Sequence, residues 1–171
     1  MSKNYYSEIN LHITWHTKLS APVLIDRVES LTHQFIRKKI INTPGIFFHE
    51  IGGTDTHIHL AVTIAPTILI SELVGQLKGA SSHDVNQRLG IGQKILEWQP
   101  GYGVVSFGAK DLGWVKSYIR DQRRHHAQGK MQNRLEKTTS DIDSEIVNEN
   151  STAQAGQEKP RERGCEDSRG S

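Results

Sequence analysis

Cysteine occurs once in this 171-residue chain, at Cys165, so neither an internal disulfide nor a cysteine-based metal site is possible. No stretch approaches the ~18 consecutive apolar residues of a membrane span. The first residues, Met1-Ser2-Lys3-Asn4-Tyr5-Tyr6, lack an apolar segment of signal-peptide length, and the expected location is the cytoplasm. No internal repeat of structural length is present. With 35% hydrophobic and 23% charged residues, the chain has the composition of an ordinary soluble protein with one core.

The formal net charge of +2 hides an asymmetry. Residues 1–135 carry 16 basic and 10 acidic side chains, whereas residues 136–171 carry 5 and 9. A basic domain followed by an acidic tail is compatible with a polyanionic partner. Beyond about Thr138 the sequence thins into Ser, Asn, Gln, Glu and Gly, with Ile142, Ile146 and Val147 isolated. Burial there cannot offset the entropy of ordering, so residues 136–171 are expected to be a disordered polar tail, with a short helix around residues 141–147 as an alternative.

Within residues 1–135 the periodicity changes repeatedly. Ser7 to Thr17 alternates Ile9, Leu11, Ile13 and Trp15 against Asn10, His12, Thr14 and His16, the pattern of a half-buried strand. Pro22 is placed to open a helix with Leu24, Val28, Leu31 and Phe35 on one face, broken at Asn42-Thr43-Pro44-Gly45. Ile46 to Ile51 and Thr56 to Ile64 read as a hairpin about Gly52-Gly53-Thr54-Asp55. Pro66 can start a second helix through Leu69, Leu73 and Leu77, with Gly79 a weak point. A strand over Gly103 to Phe107 precedes a last helix from Asp111 to Gly129. The order βαββαβ plus a helix predicts an α+β, ferredoxin-like antiparallel sheet built of split βαβ units, with an appended C-terminal helix.

Two patches carry chemistry. In the strand Thr56-His57-Ile58-His59-Leu60-Ala61-Val62, alternation puts His57 and His59 on one face, as a metal site requires. In the helix Ser117-Tyr118-Ile119-Arg120-Asp121-Gln122-Arg123-Arg124-His125-His126, Tyr118 and Gln122 are neighbours at i and i+4. Val115, Tyr118, Ile119, Gln122 and His126 share a broad face, opposite Lys116, Arg120 and Arg124. Read singly, a His-x-His pair is often only the polar face of a strand, and a tyrosine on such a helix is usually core.

Together, the His-hydrophobic-His strand and the Tyr-Ile-x-x-Gln-x-x-His-His helix resemble the single-tyrosine transposases of the HUH endonuclease superfamily. That group includes the insertion-sequence and REP-associated tyrosine transposases. The resemblance runs over about residues 5–130, with Leu77-Lys78-Gly79-Ala80-Ser81-Ser82 and Trp98 to Phe107 included. It implies Tyr118 as nucleophile, a metal held by His57, His59 and Gln122, and single-strand DNA cutting and rejoining through a 5′-phosphotyrosine. Mg²⁺ or Mn²⁺ would act there as a strong Lewis acid, and imidazoles favour Mn²⁺. The expected partners are single-stranded DNA hairpins and a second copy of the chain, a homodimer in which the histidines of one subunit work with the tyrosine helix of the other.

Lys78 and Ser81 resemble family positions that could contact phosphates, and Arg120, Arg123 and Arg124 form a basic face suited to DNA. A solvated surface explains lysine and arginines equally well. His126 is an alternative ligand, and His125 has no assigned role. Three rivals are weaker. A histidine-triad hydrolase lacks its third histidine at Ala61; a two-histidine phosphoesterase has only His12-Ile13-Thr14; and a non-catalytic single-strand-binding module lacks paired aromatics on its central strand.

Overall fold

The computed structural model describes residues 6–90 and 92–138. Strands β1 (Ile9–His16), β2 (Ile46–Gly53), β3 (His57–Ile64) and β4 (Gly103–Phe107) form one sheet in the order β2-β3-β1-β4. Every pairing is antiparallel. β3 lies between β1 and β2, and β1 between β3 and β4, which is the split βαβ arrangement expected of a ferredoxin-like fold. Helices α1 (Asp26–Ile41) and α2 (Ile70–Leu89) make the two crossovers.

One face of the sheet carries Leu11, Ile13 and Trp15 from β1 and Ile58, Leu60 and Val62 from β3, all buried. Against them pack Ile36 and Ile40 of α1 and Leu73, Val74, Leu77 and Val85 of α2. The inner row of α1 is Thr32, Ile36 and Ile40, flanked by Val28, Leu31 and Phe35. Thr32 is tolerated there because its hydroxyl donates to Val28 O at 2.7 Å. Both helices start later than their prolines suggested. Ile25 is still extended before α1 and Leu69 before α2. α2 then runs unbroken through Gly79 to a left-handed Gly90.

The other face is where sequence and structure diverge. Alternation read β1 as half-buried, yet Asn10 to Trp15 are all buried and β3 is buried at seven of its eight positions. The cover is α3 (Leu112–Arg120), whose Val115 and Ile119 meet Ala61 and Phe107 in a second, small core. Each such side chain removed from water contributes about 1.5–3 kcal/mol. Gly52, opposite His59 in the β2–β3 register, makes the close approach possible, since a Cβ there would overlap the backbone carbonyl of Ile119.

The last helix is not continuous. It breaks at Asp121 (φ −93°, ψ 13°), separating α3 from α4 (Gln122–Ala127), and no proline or glycine marks the place. A final turn, α5 (Asn133–Glu136), follows. Leu135 and Thr138 are buried, so the folded unit passes the boundary expected at residue 135 and includes Glu136. The rest of the expected tail, with its optional helix over 141–147, lies outside the described residues.

Gly52→Ala should lower stability by about 1–3 kcal/mol, because the clash is with backbone and must move α3 as a body. Urea melts of the full chain will measure it; an unchanged midpoint would mean that α3 does not sit on β2 this closely.

Candidate active site

The covered face of the sheet is polar where β1 and β3 lie side by side. His57 and His59 project from β3 with ring centroids 4.9 Å apart, and both are buried. Each is held from behind. His57 Nδ1 lies 3.0 Å from both Thr54 Oγ1 and Thr56 Oγ1, and His59 Nδ1 lies 2.9 Å from His12 Nε2. Fixed at Nδ1, both rings turn Nε2 toward the C-terminal helices.

Those helices answer with four side chains. Tyr118 of α3 places its ring 6.2 Å from that of His59, edge-on. Gln122, the first residue of α4, is fully buried, and His126 brings its ring 4.9 Å from that of His57. Glu136 of α5 enters from the far side. Its Oε1 accepts the Tyr118 hydroxyl proton at 2.5 Å and a longer contact from Gln122 Nε2 at 3.5 Å. Its Oε2 lies 3.5, 3.4 and 3.6 Å from Nε2 of His57, His59 and His126. The break at Asp121 matters here, because it lets Gln122 and His126 both reach the site that Tyr118 enters from α3.

Charges follow from burial. Burial, then His59, pushes His57 down to about 3, so it is neutral at physiological pH. His12 is likewise pushed down to about 3, by burial and by His59. Burial works against a charged Glu136, but the adjacent His59 ring and the Tyr118 hydroxyl outweigh it, holding the carboxyl well below its ordinary range. Burial and the Glu136 hydrogen bond raise the Tyr118 phenol to about 12. At rest the tyrosine is protonated and Glu136 is the anion.

At this cluster four buried atoms make no hydrogen bond to a described residue: His57 Nε2, His59 Nε2, His126 Nε2 and Gln122 Oε1. Buried polar atoms are normally paired, and an unpaired one costs about 1–3 kcal/mol. Donor atoms of His57, His59, His126 and Glu136 fall within 4.8 Å of one another. Lone pairs left unsatisfied around a carboxylate are what a cation site offers, so these residues fit a divalent ion. Gln122, the amide ligand expected from the sequence, is buried with its Nε2 3.5 Å from Glu136 Oε1, and the carboxylate of Glu136 adds a negative charge that the sequence reading did not include.

Beside the phenol the rings stack: Trp114, half-exposed, is 5.4 Å from Tyr118 at 16°, and His125 is 5.0 Å from it at 26°. The candidate DNA contacts lie elsewhere. Lys78 Nζ donates to Gln99 O at 2.6 Å and Gly101 O at 2.8 Å. Ser81 is fully buried and accepts from Trp98 Nε1 at 3.1 Å. These two pin the segment before β4. Arg120, Arg123 and Arg124 are exposed but paired, with Glu50 at 2.7 Å, Glu29 at 2.8 Å and Asp121 at 2.9 Å.

The family described as transposase, IS200 like, matches residues 5–122, more than half of the chain. The chain belongs to the IS200-like transposase family. Among solved structures, this transposase is similar to a protein of Deinococcus radiodurans R1 assigned as a transposase, with a TM-score of 0.56 and 24% identity over 71% of this chain and 96% of that one. It is also similar to a REP-associated tyrosine transposase bound to a REP hairpin, with a TM-score of 0.52 and 17% identity over 77% of this chain and 75% of that one. At these identities the likeness is one of fold. No curated protein matches the sequence.

The site should set a pH window for stability. His57 and His12 titrate lower folded than unfolded, so the unfolded chain binds more protons below about 6.5 and stability falls from there toward about 3. Tyr118 titrates higher folded, so stability also falls as pH rises from about 10 to about 12. Urea melts from pH 4 to 11 should show a plateau between these limits, and Tyr118→Phe should flatten the alkaline limb.

Proposed function

We propose that this transposase cuts and rejoins single-stranded DNA by transesterification, with Tyr118 as nucleophile, and that the strands it acts on carry hairpins. The observation that carries the reading is the convergence of unpaired His57, His59, His126 and Gln122 atoms around Glu136, whose other oxygen holds the Tyr118 hydroxyl. A divalent ion held by His57 and His59 with Gln122, His126 or Glu136, Mg²⁺ or more tightly Mn²⁺, would draw charge from a phosphate oxygen and make the phosphorus electrophilic.

The residues do the rest. Tyr118 Oη attacks phosphorus in line, forming a 5′-phosphotyrosine, and the bond to the 3′ oxygen breaks, leaving a free 3′-hydroxyl. The phenol proton has a path along the hydrogen bond to Glu136 Oε1, and the departing 3′ oxygen takes up one proton in exchange. In the reverse direction a 3′-hydroxyl attacks the aryl phosphate and the phenolate leaves, more readily than an alkoxide would because of its lower pKa. The backbone N–H of Gln132, which donates to Tyr118 Oη at 3.0 Å, is in place to stabilise that anion. No nucleotide energy source is required.

The rival readings are disfavoured by burial. A single-strand-binding module of the RRM kind uses an open sheet face, and here α3 covers it. A two-histidine phosphoesterase would need His12, which is fully buried behind His59. Arg120, Arg123 and Arg124 remain candidates for the DNA backbone, since exposed ion pairs are worth about 0–1 kcal/mol and can exchange a carboxylate for a phosphate. No described helix is long and apolar enough to cross a membrane, and an enzyme of DNA would work in the cytoplasm. The hairpin partner is that of the REP-associated relative.

The homodimer remains part of the proposal, since one tyrosine holds one DNA end and excision frees two. Tyr118 packs edge-on against His59 of its own chain, so the homodimer is proposed with sites built either within each chain or, by exchange of the tyrosine helix, in trans.

Incubated with a labelled single-stranded hairpin and Mg²⁺, the wild type should give a covalent adduct on a denaturing gel. Tyr118→Phe should give none while binding the hairpin within a few-fold, and His59→Ala or excess EDTA should abolish cutting. An adduct from Tyr118→Phe would remove the tyrosine from the mechanism. A heterodimer of Tyr118→Phe and His57→Ala chains tests the arrangement separately: sites built within one chain leave it inactive, whereas cleavage would restore the trans site.

A further inference from the structure

His12 is fully buried on β1 and takes no part in the chemistry above. Its Nδ1 makes no hydrogen bond among the described residues, and its one polar contact among them is Nε2 to His59 Nδ1 at 2.9 Å, with the rings tilted 40° to one another. An apolar residue would fill the same volume without leaving a polar atom unpaired, so packing does not explain a histidine there. The contact does. A neutral imidazole carries one proton, and which nitrogen holds it depends on the partner of the other nitrogen.

If His59 is to offer its Nε2 lone pair to the cluster of His57, His126 and Glu136, its proton must sit on Nδ1 and needs an acceptor. Backbone carbonyls or carboxylates usually fill that role. The nearest acceptor here is His12 Nε2, and accepting there forces the proton of His12 onto Nδ1, the atom without a partner. His57 is supported differently, by the hydroxyls of Thr54 and Thr56, which can donate or accept and therefore impose no tautomer. Only His59 is tied to a partner whose proton count is fixed.

The geometry points to His12 as a positioning residue: a neutral, Nδ1-protonated imidazole that accepts from His59 Nδ1–H and so holds His59 Nε2 bare and aimed at a divalent cation. The inference rests on the metal reading, which sets the direction of the hydrogen bond; the contact itself, at 2.9 Å, stands without it.

Two measurements on the full chain test it. With histidine uniformly labelled with ¹⁵N, long-range ¹H–¹⁵N spectra report which ring nitrogen is protonated, without and with saturating diamagnetic Mg²⁺. His12 should show protonated Nδ1 and bare Nε2 in both states, and His59 a protonated Nδ1 in both. A proton on His12 Nε2 in either state overturns the inference, whether or not Mg²⁺ binds. Calorimetric titration with Mn²⁺ then compares His12→Leu with His12→Gln, thermal melts confirming that each is folded. Loss of the acceptor should weaken Mn²⁺ binding by about 10–100-fold in His12→Leu, and the Gln carbonyl should recover most of it. Equal affinity of wild type and a folded His12→Leu would also overturn it. A wild type that binds no Mn²⁺ while His12 shows the expected tautomer would instead sink the metal reading.

Discussion

Everything distinctive in this molecule follows from burying the polar face of a sheet. A ferredoxin-like sheet needs helices on one side only, and α1 with α2 supply that cover. Here α3 lies on the second side, over a surface bearing His12, His57 and His59. Burying those groups removes water from them, and each must then find a protein partner or remain costly. The partners divide by depth. In His57 and His59 the Nδ1 atoms at the back are paired with threonine hydroxyls or another imidazole and the Nε2 atoms at the front are not, whereas His12 is paired through Nε2.

That division sets the electrostatics. A neutral His57 lies beside a carboxylate that stays ionised, and burial with that carboxylate keeps the phenol protonated. A cation entering the cluster would lower the cost of the anion and of the unpaired lone pairs together. One event would thus relieve several unfavourable terms, which is why the cluster reads as a binding site rather than as a flaw in packing.

The strand order, the His57–His59 face and the pairing of Tyr118 with Gln122 were legible in the sequence because they depend on local periods of two and about four residues. Glu136 was not. It stands in an acidic, weakly patterned stretch and becomes meaningful only when α5 folds back over the sheet, a tertiary event without local signature. The break at Asp121 was hidden for a related reason: residues 111–129 suit one helix, and inward demand on Gln122 and His126 decides otherwise. Lys78 and the three arginines could not be placed, because a cation next to a carbonyl or carboxylate looks the same in sequence as one in solvent. His12 was visible as one of four polar residues alternating along β1, but its distance from His59 was not.

The stacking of Trp114 on Tyr118 has an optical consequence. Of the chain's three tryptophans, Trp15 is fully buried and meets Trp98 edge-on at 5.9 Å, while Trp114 is half-exposed and 5.4 Å from the phenol ring. Indole emission responds to solvent and to neighbouring rings. The protein therefore carries its own fluorophore against its proposed nucleophile, and light from Trp114 would register each arrival and departure at Tyr118 without a dye or a label.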